Sequence, residues 1–90
     1  MPHRPERDKM VEYRVEGTIM TEITNMADVA KFVREVRKAQ KVSQTVLAQA
    51  PNVGLRFVGD IERGKPSIQF DKLLAVLTSL GISLKLHTFG

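Results

Sequence analysis

Few residues of this 90-residue chain are set out for catalysis. There is no cysteine, and the two histidines, His3 and His87, lie in or near the two tails. Asp60 and Glu62 are close in sequence, but a helical spacing of two turns them away from a common site. No phosphate loop, dinucleotide fingerprint or metal-ligand spacing is present. The expectation is therefore no enzyme, no catalytic residue, no metal and no cofactor. What remains is chemistry of recognition. The Arg56 guanidinium can grip guanine O6 and N7 together, and the Asp60 carboxylate can either accept from cytosine N4 or orient a neighbouring arginine.

Such side chains read bases only if a helix carries them into the major groove, and the stretch SQTVLAQAPNVGLRFVGDIERG, residues 43–64, supplies one. Ser43 is an N-cap residue type ahead of a short helix over 44–50. Pro51 disfavours helix in the residue before it, and Asn52 tolerates the left-handed conformation of a sharp turn. A second helix over 55–63 carries Val58 and Ile61 at i, i+3 spacing and stops at Gly64, a natural residue just past a helix end. Two helices joined by so short a turn form a helix-turn-helix. Its second helix enters the major groove by its N-terminal part, which here offers Leu55, Arg56, Gly59 and Asp60.

Other elements must hold that pair. Asn25 caps a first long helix with Asp28 in its first turn, and Met26, Val29, Phe32, Val33 and Val36 give it one apolar stripe for the core. Lys31, Arg34, Lys38 and Lys41 line another face, either solvated or turned to phosphate. After the helix-turn-helix, a helix over 70–80 ends at Gly81; Leu73, Leu74, Ala75, Val76, Leu77 and Leu80 leave it little polar face. So apolar a helix in so short a chain needs a subunit interface for part of its surface. Ile82, Leu84 and Leu86 then alternate with Ser83, Lys85 and His87 as a strand does. At the other end, residues 1–9 are charged, proline-containing and expected to be disordered. Val11, Tyr13 and Val15 alternate with charged residues up to Gly17, the pattern of a strand that either pairs or remains a mobile arm.

Composition narrows the class. A chain this short buries only about 60% of its extended surface, which favours a dimer. The absence of cysteine fits a reducing, cytoplasmic setting. No apolar run approaches the roughly 20 residues of a membrane span, and the charged N-terminus is not a signal peptide. Net charge is +4, but residues 1–24 carry −1 (four basic, five acidic) while residues 25–90 carry +5 (ten basic, five acidic). The helical part is the basic part, and a dimer of it would draw a polyanion.

The runs VREVRKAQKVSQTVLA and VGLRFVGDIERGKPSIQFDKLLAVLTSLGISL resemble the phage-repressor-like (XRE/Cro) helix-turn-helix family. Within it, FVGDIERGKP followed by LLAVLTSLGISLKL is most similar to HipB-type antitoxins. The resemblance implies a mainly α bundle of four to five helices with a short C-terminal strand for dimer pairing. It divides the chain into an arm (1–24), a DNA-binding domain (25–81) and a dimerisation strand (82–90). It makes Leu55, Arg56 and Asp60 the base readers, with Phe57, Val58 and Ile61 turned inward or toward a thymine methyl. It puts Gln44, Lys65 and Ser67 on the DNA backbone and pairs Arg37 with Glu62. Leu77, Leu80, Ile82, Leu84 and Leu86 become the dimer interface. Three positions depart from the pattern: Pro51 stands for a usual leucine, Lys41 for a usual glycine and Gly54 for a usual Ser or Thr cap. Gly59 within the reading helix should soften it by roughly 1 kcal/mol.

The partners so implied are an inverted-repeat operator in double-stranded DNA, a second copy of the chain and a HipA-like serine/threonine kinase toxin, in a bacterial cytoplasm. A repressor without a toxin is the competing reading, and a toxin reading frame beside this one would separate the two. A third class, a protein adaptor without DNA binding, rests on Gly59 and Leu55 in the reading helix. Salt-dependent binding to duplex DNA excludes it.

Overall fold

A computed structural model of the chain describes residues 12–15, 18–86 and 88, with side chains from residue 21 onward. Four helices follow a two-stranded hairpin: β1 (Glu12–Val15), β2 (Thr18–Thr21), α1 (Met26–Ala39), α2 (Gln44–Gln49), α3 (Leu55–Glu62) and α4 (Phe70–Ser79). The expectations for residues 1–9 and for His87 fall outside the described residues. The N-terminal alternation forms β1, and of its two expected fates it takes the paired one. β1 pairs antiparallel with β2, Glu12 opposite Thr21 and Val15 opposite Thr18, so the open edge left by the first strand is met by the segment just beyond Gly17.

Capping chemistry starts and stops the helices. Asn25 and Ser43 accept through their side chains from Asp28 N and Val46 N, each three residues on. Asp28 in turn accepts from the Thr24 backbone and hydroxyl, at 3.0 and 2.8 Å. Those bonds hold its carboxyl below the ordinary aspartate range.

At the far ends the same closure recurs four times. Lys41, Asn52, Gly64 and Gly81 take positive φ, between 58° and 77°. The amide of the next residue then bonds back into the last helical turn: Val42 to Arg37, Val53 to Ala48, Lys65 to Asp60 and Ile82 to Leu77, at 2.9 to 3.1 Å. This is the Schellman closure, in which a left-handed residue lets the chain reverse over its own last carbonyls. Val42, Val53 and Ile82, the residues after three of these reversals, pack against the core.

The core lies between the helices and is built from Val33 of α1, Leu47 and Ala48 of α2, Val58 and Ile61 of α3, and Leu73, Val76, Leu77 and Leu80 at and after α4. Helix α3 packs on both α1 and α2, and α2 touches α4. The end of α3 closes on the start of α1, where a Cβ on Gly64 would stand 3.5 Å from Ala27 Cα. Gln40 at the end of α1 donates to the Leu80 carbonyl at 2.8 Å and ties α1 to the end of α4. Among the described residues no helix is long and apolar enough to cross a membrane.

Residues 82–86 form no strand in the single chain. A strand needs a neighbour for its backbone groups, and among the described residues none lies beside this segment. Leu77 and Leu80, expected at a dimer interface, are 6% and 4% exposed within one protomer, where they belong to the core. In and after α4 the large apolar side chains left open are Phe70, Leu74, Leu84 and Leu86.

Lys41 alone among the four reversal residues is neither glycine nor asparagine, and a side chain in the left-handed region costs about 1–2 kcal/mol. Its amide bond to Lys38 is made by the backbone, so it survives substitution. Lys41→Gly should raise the unfolding free energy by about 0.5–1 kcal/mol, the relief being partly offset by the greater backbone freedom of glycine when unfolded. Urea melting of the two proteins checks this.

Candidate nucleic-acid interface

Eight residues of α3 have two opposite tasks. Val58 and Ile61 are fully buried and Phe57 packs on the core, which turns Leu55 and Arg56 outward. Leu55 is 50% exposed. Gly54 stands at the N-cap with no side-chain bond, so no side chain screens the first amides of α3.

The attitude of α3 is set at its other end by Glu62, a carboxylate whose side chain is only 4% exposed. Arg37 of α1 meets it with two parallel bonds, Nε to Oε2 at 2.6 Å and Nη2 to Oε1 at 3.0 Å. The remaining Arg37 nitrogen, Nη1, donates to the Val42 carbonyl at 2.8 Å in the reversal after α1. Gln44 Nε2, from the first residue of α2, donates to Glu62 Oε1 at 3.0 Å. Arg34 donates to the Glu62 carbonyl itself. Two helices thus converge on one residue of a third. Burial pushes the Glu62 carboxyl up and is the largest single influence. The hydrogen bonds from Arg37 and Gln44, with the charges of Arg37 and Arg34, together outweigh it and hold the group below the ordinary glutamate range.

On the outer face, Asp60 is engaged by two cations. Arg63 bonds Oδ1, and Lys65 Nζ stands 3.8 Å from Oδ2. The Arg63 guanidinium folds back over Gly59, where a Cβ would meet Nη1 at 3.0 Å.

The residues singled out in the sequence therefore divide. Leu55 and Arg56 lie open at the start of α3, and Lys65 and Ser67 lie exposed in the segment after it. Arg37 and Glu62 are in contact. Gln44 has one amide hydrogen committed to Glu62, so only its second can reach a phosphate. Gly59 is buried beneath Arg63 and offers no surface of its own, and Asp60 is occupied by its neighbours. Arg34, grouped in the sequence with Lys31, Lys38 and Lys41 on a free face, is drawn to the end of α3 by the carbonyl there. Arg63 was missed. Its signal was the glycine four residues before it, which periodicity treats only as a defect. No group of three or more potential ligands that could hold a metal occurs among the described residues.

Residues 33–86 match the helix-turn-helix family HTH_3. An uncharacterised HTH-type transcriptional regulator, y4mF of Sinorhizobium fredii (strain NBRC 101917 / NGR234), is 47% identical over 68 residues, which cover 76% of this chain and 90% of that protein. The fold is similar to that of a chain in the HipA-HipB-O2-O3 complex, with TM-score 0.72 at 18% identity, covering 79% of this chain and 100% of that one. It is also similar to the restriction-modification controller protein C.AhdI from Aeromonas hydrophila, with TM-score 0.59 at 29% identity over 64% of this chain and 88% of that one.

The Glu62 cluster yields a test in acid. A carboxyl held low in the folded state contributes stability that is fully present above its unfolded value, about 4.3 for glutamate, and is lost as pH falls through the lower folded value. Arg37→Met leaves a buried charge without its partner and should cost about 3–5 kcal/mol at neutral pH. Once Glu62 is protonated that penalty disappears, so the gap between the two proteins should narrow as pH falls below about 4.3. Denaturant melts across this range measure the gap; a constant gap, or one within error at pH 7, would mean that the pair carries no buried charge.

Proposed function

The chain belongs to the HTH_3 helix-turn-helix family, the XRE-type transcriptional regulators, and from that premise we propose that it is a dimeric repressor that reads an inverted-repeat operator with α3 and serves as a HipB-like antitoxin to a HipA-like kinase toxin. The observation that carries the DNA-reading part is the split of α3 into a buried side, Val58 and Ile61, and an open N-terminal side, Leu55 and Arg56. In this reading Arg56 grips a guanine edge and Leu55 lies against a thymine methyl. Lys65, Ser67 and the start of α2 at Gln44 meet the sugar-phosphate backbone and set the register. Residues 25–81 are the DNA-binding unit, with 1–24 as an arm and 82–90 as the dimerisation strand.

Dimerisation is supported by the open apolar surface of Phe70, Leu74, Leu84 and Leu86, exposed by 57%, 36%, 45% and 90%. The alternation in 82–86 supports pairing with the same segment of a second copy, which would satisfy both edges at once. The toxin role rests on the sequence resemblance together with the HipB-like fold. The relative at 47% identity is called a transcriptional regulator, which favours a second reading, a repressor that acts without a toxin. The reading frame beside the gene distinguishes the two.

Ending the chain at Gly81 should weaken the dimer in sedimentation experiments, and an unchanged dimer would remove the strand-pairing idea. On DNA, Arg56→Ala should cost about 1–3 kcal/mol on the preferred site and much less on random duplex, since only a base contact is lost. Lys65→Ala should weaken all sequences about equally and lower the slope of log K against log salt by about one per protomer. Half-sites should be centred about 34 Å apart. Mobility-shift titrations at several salt concentrations, on a promoter palindrome and on scrambled duplex, read all three. If Arg56→Ala weakens both DNAs alike, α3 does not read bases.

A further inference from the structure

The face of α3 that continues from Arg56 is made by Gly59, Asp60 and Arg63, one helical turn at a time. We propose that Arg63 is a DNA-phosphate contact held ready by its own helix, with Gly59 as the bed for its guanidinium and Asp60 as the residue that positions both Arg63 and Lys65.

A glycine inside a helix is costly, and nothing about the backbone at Gly59 calls for one, since positive φ at glycine occurs only at Gly64 and Gly81 among the described residues. What the missing Cβ provides is room. Arg63 turns back along the helix into the space a side chain would fill, to within 3.0 Å of the position of that Cβ. The side chain is nonetheless 67% exposed, so the guanidinium is bedded on one side and open on the other. Asp60, 16% exposed, gives one oxygen to Arg63 and turns the other to Lys65 at 3.8 Å. Two flexible cations are thus gathered around one carboxylate at the end of α3, with a local charge of +1. An isolated surface pair of this kind adds little to stability, so its use is in what it orients. An arginine already in place loses less side-chain freedom on binding, and its planar fork matches two phosphate oxygens. The end of a helix that enters the groove by its N-terminus lies toward the strand backbone, where a phosphate and not a base edge is within reach.

The inference rests on α3 being the DNA face, and it gives Asp60 a role different from base reading. Mobility shifts with the full chain, on the promoter palindrome and on scrambled duplex, distinguish the two. Arg63→Ala should weaken binding to both DNAs about tenfold, the value of one charge-assisted hydrogen bond, and lower the salt slope by about one per protomer. Gly59→Ala should melt at the same or a higher temperature while weakening both DNAs, because it favours the helix but displaces the guanidinium. Asp60→Asn should weaken every sequence alike without moving base preference, and should weaken binding less in an Arg63→Ala background, where only Lys65 is left for it to orient. A shift in the preferred base pair with Asp60→Asn makes it a reader, and tighter binding makes its charge a burden; either result overturns the proposal. If Arg63→Ala and Gly59→Ala bind as the parent does while Arg56→Ala is impaired, the clamp fails and the α3 reading stands. If Arg56→Ala is unimpaired as well, the DNA face itself is elsewhere.

Discussion

One buried carboxylate sets the geometry on which everything else in this molecule depends. Glu62 is the last residue of α3, and it is reached by Arg37 from α1 and Gln44 from α2, while Arg34 holds its carbonyl. An uncompensated charge at that depth would cost several kcal/mol. The four donor contacts can be made together only at one relative disposition of the three helices. Apolar packing of Val33, Val58 and Ile61 alone would tolerate small rotations, since dispersion and area burial have little direction. The bidentate Arg37 pair does not tolerate them. The cluster therefore converts a generic three-helix core into a fixed attitude for α3, which matters because α3 is only eight residues long and has little surface of its own to hold it.

That attitude separates the two ends of α3 by role. The N-terminal end carries Leu55 and Arg56 outward with no capping side chain before them, and the C-terminal end is inserted between α1 and α2 through Glu62. The Schellman closure at Gly64 then turns the chain at once, so Lys65 emerges on the outer side instead of following the core. A longer or frayed helix end would carry Lys65 away from Asp60. Local backbone chemistry at one glycine thus places a cation beside the open face of α3, and the buried ion pair just before it keeps that glycine in register.

Much of this was legible in the residues. Asn25 and Ser43 as caps, Asn52, Gly64 and Gly81 as reversals, and Val58 with Ile61 as the inward side of α3 all follow from rules that act over one helical turn. The Arg37–Glu62 contact spans 25 positions and no periodicity announces it; only the resemblance to a family brought the two together. Contacts that depend on where a long side chain folds were not legible. Gly59 reads as a weakness in the helix until Arg63 is placed across it, and of the two uses open to Asp60, a base acceptor or a carboxylate that orients an arginine, the sequence does not choose, whereas the structure puts Arg63 on it. Arg34 shows the same limit: its place in a basic row gave no hint that a helix-end carbonyl would draw it inward.

The C-terminal segment failed to form a strand for a different reason. A helix closes its hydrogen bonds within itself, so a correct helical pattern produces a helix in one chain. A strand leaves half its backbone groups to a neighbour, and the pattern of 82–86 describes a state that exists only when the neighbour does. Ile82 is held to the core by its bond to the Leu77 carbonyl at 2.9 Å, but Leu84 and Leu86 project beyond it, 45% and 90% exposed. Leu77 and Leu80, which share the apolar character of the segment, are used up inside the protomer. The apolar residues after α4 thus fall into an inner set that stabilises one chain and an outer set that the single chain leaves in water. Periodicity lists both together, and only the burial of the folded protomer tells them apart.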